Sequence, residues 1–403
     1  MRIAYLAPGS PVPATSGGAL RIEALRRGLS RLGELHMAVL GEAPDRAGRK
    51  GLRVLGIRLF PSRRERLSQR LARILRAAVR GECIPAARYL SPRRVQRLVC
   101  WARESRPDVI VLGEVYQASL IAALEPLGAR IIVDTHDAAS RIHARIAAAS
   151  RSMVEKAGYG LLAWNTRKVE RRLLPRAAQL WVVSEEDARF YRESIGLLEV
   201  AVVPNVVEIP ERSAPGTPES PVAPVVQGSV VFAGSFSYWP NEDAALRLVE
   251  LTRPLAADGL VKRVSLVGVH PTERMRQASA TRADVVVTGP VDRVEPYLRG
   301  AEVVAIPLAA GSGTKLKVLE AMALGRPVLT TPVGAEGLDV EPGVHLEVAP
   351  LDRFAAALAA LLRDADRRRV LGNAGRAWVE IHASPAALDR RLRELLCPAR
   401  EEE

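Results

Sequence analysis

The segment Gly311-Ser312-Gly313-Thr314-Lys315-Leu316-Lys317-Val318-Leu319-Glu320 follows a run that reads as a strand and opens one that reads as a helix. Its glycines let backbone approach a ligand closely, and the first N–H groups of a helix lack intrahelical partners and attract an anion. Lys315 and Lys317 fall in the first turn, where the helix dipole disfavours a cation by about 0.3–1 kcal/mol unless negative charge lies near. A diphosphate supplies that charge. Lys317 and Glu320 share a helix face, so a lysine can meet phosphate while the carboxylate accepts hydrogen bonds from two ribose hydroxyls. The residues expected to hold such a ligand are Ser312, Gly313, Thr314, Lys315, Leu316, Lys317 and Glu320. The alternative is a plain loop entering a core helix, with both lysines in water.

Two further segments have residue types suited to chemistry. Thr15-Ser16-Gly17-Gly18 lies between the first strand and the first amphipathic helix, so Gly17 and Gly18 could form a second anion site or simply a tight turn. Asp134-Thr135-His136-Asp137 follows another strand, and its polar groups should project from the carboxyl end of the sheet, with His136 the candidate catalytic residue. His136 and His143 have no familiar ligand spacing, so no metal is expected. The chain contains no Gly-x-Ser-x-Gly elbow, no Walker loop and no Gly-x-Gly-x-x-Gly fingerprint, which sets aside serine hydrolases, P-loop kinases and that dinucleotide motif.

The elements that must position these residues alternate from the start. A strand near 2–7, a helix near 19–32 and a strand near 34–40 have the rhythm of parallel βαβ units. In that helix Ile22, Leu25, Leu29 and Leu32 form a buried stripe, and Arg21, Arg26, Arg27 and Arg31 are expected in water. Further strands are expected around 108–112, 130–134, 179–184 and 200–204. A second series follows at 230–234, 264–268, 284–288, 302–306 and 327–330, with helices from Leu351 onward.

Between the two series, Pro210 to Pro221 is too rich in proline for a helix. The expected division is a domain over 1–205, a linker over 206–228, a second domain over 229–384 and a terminal helix over 385–403 that packs back on the first domain. Two doubly wound parallel sheets would face each other across a cleft at their strand ends, where ligands bind in open α/β folds.

With 403 residues, 48% hydrophobic and 26% charged, the chain is long enough for two cores. No apolar run approaches the roughly 20 residues of a membrane helix, and the amino terminus reads as a strand rather than a signal peptide, so a cytoplasmic protein is expected. Three cysteines without a CxxC pair suggest neither a disulfide framework nor a zinc site, and the thiols are expected to be buried or idle. A net charge of +13 favours polyanionic partners. Aromatics are only 4% and no nucleic-acid motif is present, so no nucleic acid is expected. Around 63–80, Leu67, Leu71, Ile74, Leu75 and Ala78 form an apolar face among many arginines. This face fits peripheral contact with an anionic membrane as well as it fits a helix packed on the first sheet.

Together Ser16-Gly17-Gly18-Ala19-Leu20-Arg21, Val203-Pro204-Asn205, Phe232-Ala233-Gly234-Ser235, Trp239-Pro240-Asn241 and the long Gly311–Gly334 segment resemble the retaining GT-B glycosyltransferases, over nearly the whole chain. The resemblance implies a hexose-type sugar moved from a nucleoside-diphosphate donor to an acceptor with retention, without a cofactor or a required metal. It gives Gly18 the distal phosphate, the backbone from Gly313 to Leu316 both phosphates, Glu320 the ribose, and His136 a place beside the donor sugar. Two departures stand out. Ser312 occupies the position of the first glutamate of the family's Glu-x7-Glu pair, and Ser235 with Trp239-Pro240-Asn241 replaces an arginine and lysine found in many members, whose charges Lys315 or Lys317 would supply. A nucleotide-sugar epimerase and a silent nucleotide-sugar-binding subunit are the alternatives.

Overall fold

The computed structural model describes residues 1–11, 17–41, 57–61, 67–80, 82–87, 90–150, 152–210, 225–311 and 315–397. They form two compact units, Met1–Pro204 with the chain from Leu388 onward, and Asn205–Ala387.

Among the described residues, the sheet of the first unit has seven strands: β1 (Arg2–Ala7), β2 (Glu34–Gly41), β3 (Ile57–Pro61), β4 (Val109–Leu112), β5 (Arg130–Asp134), β6 (Gln179–Val182) and β7 (Val200–Val202). Every pairing is parallel, in the order β3-β2-β1-β4-β5-β6-β7. Ile3 to Ala7 are wholly buried, as expected of strands covered by helices on both faces. Strand β3 was not legible as one. Its short run is interrupted by Arg58 and ends in Pro61, and it lies at the sheet edge, where a proline removes no ladder bond.

Helix α1 (Gly17–Ser30) starts earlier than its apolar spacing suggests, so Gly17 and Gly18 lie in its first turn rather than in a loop before it. Ile22, Leu25 and Leu29 are buried as expected, but so is Arg21, which corrects its assignment to water. The reason is geometric: Arg21 precedes Leu25 by one turn and lies on the same stripe, and it has a carboxylate partner there. Further along are α2 (Leu67–Arg80) and the successive helices α3 (Ala139–Ala149) and α4 (Met153–Leu173). On α2, Leu75 is exposed, so the expected apolar face is not closed against the sheet at that residue.

The second unit has β8 (Ser229–Ala233), β9 (Arg263–Val267), β10 (Val285–Gly289), β11 (Val303–Ile306), β12 (Val328–Thr330) and the short edge strand β13 (Glu347–Val348), which the sequence also hid. Their order is β10-β9-β8-β11-β12-β13, again all parallel. Helices α5 (Trp239–Ala257), α6 (Leu316–Ala323), α7 (Phe354–Arg363) and α8 (Ala365–His382) flank it. Phe232, Leu248, Val304, Ile306, Leu329, Phe354 and Leu358 share one core. The last helix, α9 (Pro385–Leu396), continues into the first unit. There Asp389 pairs with Arg31 at 2.6 Å, and Arg391 donates to the Val202 carbonyl at 2.9 Å.

Of the three free thiols, Cys83 is buried, while Cys100 and Cys397 are exposed. Among the described residues, no helix is long and apolar enough to cross a membrane, and no three His, Cys, Asp or Glu side chains gather as a metal site.

Candidate active site

In a doubly wound sheet, ligands bind outside the carboxyl ends of the strands where the strand order reverses. The reversal falls between β1 and β4 in the first unit, and between β8 and β11 in the second. Residues singled out by sequence stand at or beside both points.

In the first unit, Asp134 ends β5 and is fully buried. Burying a carboxylate costs several kcal/mol unless it is paired and hydrogen-bonded. Arg21 satisfies it: Nε donates to Oδ2 at 3.0 Å, Nη2 donates to Oδ1, and Nη1 donates to the Val203 carbonyl at 3.0 Å. One guanidinium thus ties α1 to β5 and to the chain leaving β7.

His136 lies just beyond this pair, with Nε2 at 3.8 Å from Asp134 Oδ2. That nitrogen is buried and has no hydrogen-bond partner among the described residues. Burial pushes the imidazole pKa down to about 4; Asp134 pulls it up and Arg21 pushes it further down. His136 is therefore neutral at physiological pH. A Cβ added at Gly18 would lie 3.4 Å from His136 Nδ1, so the start of α1 and the histidine are in immediate contact. Gly17 occupies the first position of the same helix. Ser16 lies outside the described residues.

Two neighbours were not singled out by sequence. Glu114 follows β4, and its Oε1 accepts a hydrogen bond from the Val115 amide at 3.1 Å. Burial, opposed by that amide and reinforced by Asp137 and Asp134, raises its pKa to about 8, so it is mostly protonated at neutral pH. Tyr5 on β1 has a buried hydroxyl without a partner among the described residues, and its pKa is raised by burial and then by Asp134. The strand reversal could have pointed to Glu114, which comes directly after Gly113 at the end of β4. Tyr5 gave no signal, because it looks like any core aromatic.

In the second unit, Leu316 begins α6 and Lys315 occupies its N-cap position, with the residue 7% exposed. Ser312, Gly313 and Thr314 lie outside the described residues. Lys317 reaches back to the end of β8, where Nζ donates to Asn241 Oδ1 and lies 4.8 Å from the centre of the Phe232 ring. Asn241 is fixed in turn by its donation to the Ser235 carbonyl at 2.8 Å. The stretch that lacks cations thus receives one from α6. Two backbones meet closely under it: Gly268 has φ +146, and a Cβ there would sit 1.9 Å from the Gly234 carbonyl oxygen.

Burial lowers the Lys317 pKa to about 8, with Lys315 adding to the shift and Glu320 opposing it. Glu320 is shifted the other way, raised by burial and held back by Lys317. Among the described residues nothing hydrogen-bonds or ion-pairs the Glu320 carboxylate, so it and Lys317 are close enough to influence each other without closing a salt bridge. This face of α6 therefore has one cation and one carboxylate whose charges are only partly compensated.

Residues 16–206 match the family model of the glycosyl transferase 4-like domain, and residues 227–364 match that of the glycosyl transferases group 1. No curated protein compared with the chain matches it. Among solved structures, sucrose-phosphate synthase from Thermosynechococcus elongatus is similar at 17% identity and TM-score 0.70, covering 98% of this chain and 97% of that one. HepE of Anabaena in complex with UDP is similar at 15% identity and TM-score 0.68, over 98% and 99% of the two chains. WaaG, a glycosyltransferase involved in lipopolysaccharide biosynthesis, is similar at 12% identity and TM-score 0.67, over 98% and 100%. At these identities the likeness speaks for the fold, which is GT-B. With the two models together covering most of the sequence, the chain belongs to the group 1 and 4-like glycosyl transferases.

Proposed function

We propose that the protein transfers a hexose-type sugar from a nucleoside-diphosphate donor to an acceptor with retention of anomeric configuration. The observation that carries this reading is the partly compensated pair of Lys317 and Glu320 on the first turns of α6, at the strand reversal of the second unit. A diphosphate would complete the lysine and meet the amides at the helix start, and ribose hydroxyls would complete the carboxylate. HepE of Anabaena is known in complexes with UDP, with UDP and glucose, and with UDP-glucose, which puts uridine donors first among those to try.

In this reading the amides from Gly313 to Leu316, with Lys315 and Lys317, stabilise the charge that grows on the departing diphosphate, as preorganised donors do elsewhere. These groups supply the positive charge without a required metal. Gly17 and Gly18 offer the amides of another helix start to the distal phosphate. His136 positions the donor sugar. Being neutral, it can donate a hydrogen bond without placing a second full cation beside Arg21. Retention and the leaving phosphate's part in taking the acceptor proton come from the resemblance to retaining GT-B enzymes.

Thermal stabilisation by a panel of UDP-, GDP- and dTDP-sugars tests the binding step, since a ligand at 100 times its Kd adds about 2.7 kcal/mol. A shift with one base that Glu320→Ala abolishes is expected. Free nucleoside diphosphate released only when an acceptor is present would separate transfer from epimerisation. Tight binding with no turnover over broad acceptors would overturn the transferase reading in favour of a silent binding subunit.

A further inference from the structure

On α4 of the first unit, Met153, Val154, Leu161 and Trp164 are 77%, 82%, 51% and 57% exposed. Met153, Ala157, Leu161 and Trp164 recur at helical spacing, so they form one stripe, with Val154 beside it. Along the same helix the exposed residues then become basic: Arg167, Lys168, Arg171 and Arg172, with Lys168 Nζ 5.4 Å from the Trp164 ring centre. Of the helix's carboxylates, Glu170 is buried and Glu155 lies outside the stripe.

A second helix brings the same chemistry to the same neighbourhood. Asn165, directly after Trp164, accepts from the Ile84 amide at 3.0 Å and donates to the Glu82 carbonyl at 2.8 Å, clasping the chain just after α2. The sequence of α2 holds four arginines and no carboxylate, and its Leu75 and Val79 are 70% and 83% exposed. Monomeric soluble proteins seldom leave apolar side chains grouped in this way.

We propose that the exposed stripe of α4, with α2 ending close by, docks the protein peripherally on an anionic bilayer surface. The charge pattern favours lipid over a protein partner. Protein interfaces are depleted in lysine and pair cations with carboxylates, whereas a bilayer offers anionic headgroups above hydrocarbon, matching cations that flank bare apolar side chains. Leu161, Trp164, Val154 and Met153 enter the headgroup boundary, and Lys168, Arg171 and Arg172 meet the phosphates.

Flotation of the full chain with vesicles of phosphatidylcholine containing about 30% phosphatidylglycerol, against phosphatidylcholine alone, tests this. Binding to the anionic vesicles only is expected, together with a loss of about tenfold for Leu161→Ser/Trp164→Ser and a comparable loss for Lys168→Gln/Arg172→Gln. All four side chains are solvent-facing, and an unchanged melting temperature checks that the variants fold. Equal binding to neutral vesicles, no binding to either, or variants that float like the wild type would overturn the proposal. So would a wild-type dimer in sedimentation that Leu161→Ser/Trp164→Ser dissolves, which would assign the face to a second copy of the chain.

Discussion

The two units place a cation and a carboxylate at their strand reversals and treat them in opposite ways. In the first, Arg21 and Asp134 close on each other, and the guanidinium also donates to the Val203 carbonyl. In the second, Lys317 has, among the described residues, Asn241 and the face of Phe232 as its partners, and both it and Glu320 are pushed toward neutrality. A pair completed by the protein holds elements together, and a pair left incomplete is suited to an external anion. The difference is also one of residue type, since a planar fork fits a bidentate carboxylate while an ammonium is a point charge whose pKa yields to burial.

The largest effect that can break this comparison is on stability. Arg21→Met leaves the Asp134 carboxylate buried and alone, and a loss of about 3–5 kcal/mol is expected in denaturant unfolding. Most of it should return in Arg21→Met/Asp134→Leu. Lys317→Met should change stability by less than about 1 kcal/mol, because a partly compensated cation contributes little, while nucleoside-diphosphate affinity falls about 10- to 100-fold with one charge-assisted hydrogen bond gone. Equal stability losses in the two single variants would erase the distinction.

The next effect is on the pH dependence of binding. With its pKa near 8, Lys317 starts to lose its proton just above neutrality. A dianionic ligand requires the proton back, so affinity measured by calorimetry should fall by up to about tenfold per pH unit above pH 8. A flat profile from pH 7 to 10 would show that Lys317 does not face the ligand.

A separate pH effect, on stability rather than binding, belongs to Glu114. Its folded pKa of about 8 lies above its ordinary 4.5, so its contribution to stability is complete below 4.5 and disappears as pH rises through 8. Glu114→Gln should flatten the wild-type loss of stability across that window, as melting temperatures would show. For His136 the shift is the reverse: stability is present above 6.5 and is lost as pH falls toward 4. Its ring protons in NMR should therefore show no titration between pH 6 and 8. A midpoint near 6.5 would mean that the imidazole is solvated.

What the sequence determined by itself is local. Runs such as Val109–Leu112 and Val303–Ile306 could only be buried parallel strands, and the spacing of Ile22, Leu25 and Leu29 fixed the inner face of α1, because side-chain period follows directly from backbone geometry. The glycine-rich entry to α6 with Lys317 and Glu320 could be picked out for the same reason. Edge strands β3 and β13 escaped because a few residues cannot show a period, and an edge tolerates Arg58 and Pro61.

What only the tertiary structure decided is which polar groups meet. Arg21 and Asp134 are separated by 113 residues, and Lys317 and Asn241 by 76. A periodic pattern reports whether a position faces inward and is silent about its partner. It is the partner that determines whether a buried charge is satisfied, whether His136 is neutral, and whether a lysine at a helix start keeps its proton. The energies of buried charges depend on distance and desolvation, and both are set only when strands and helices remote in sequence are brought together.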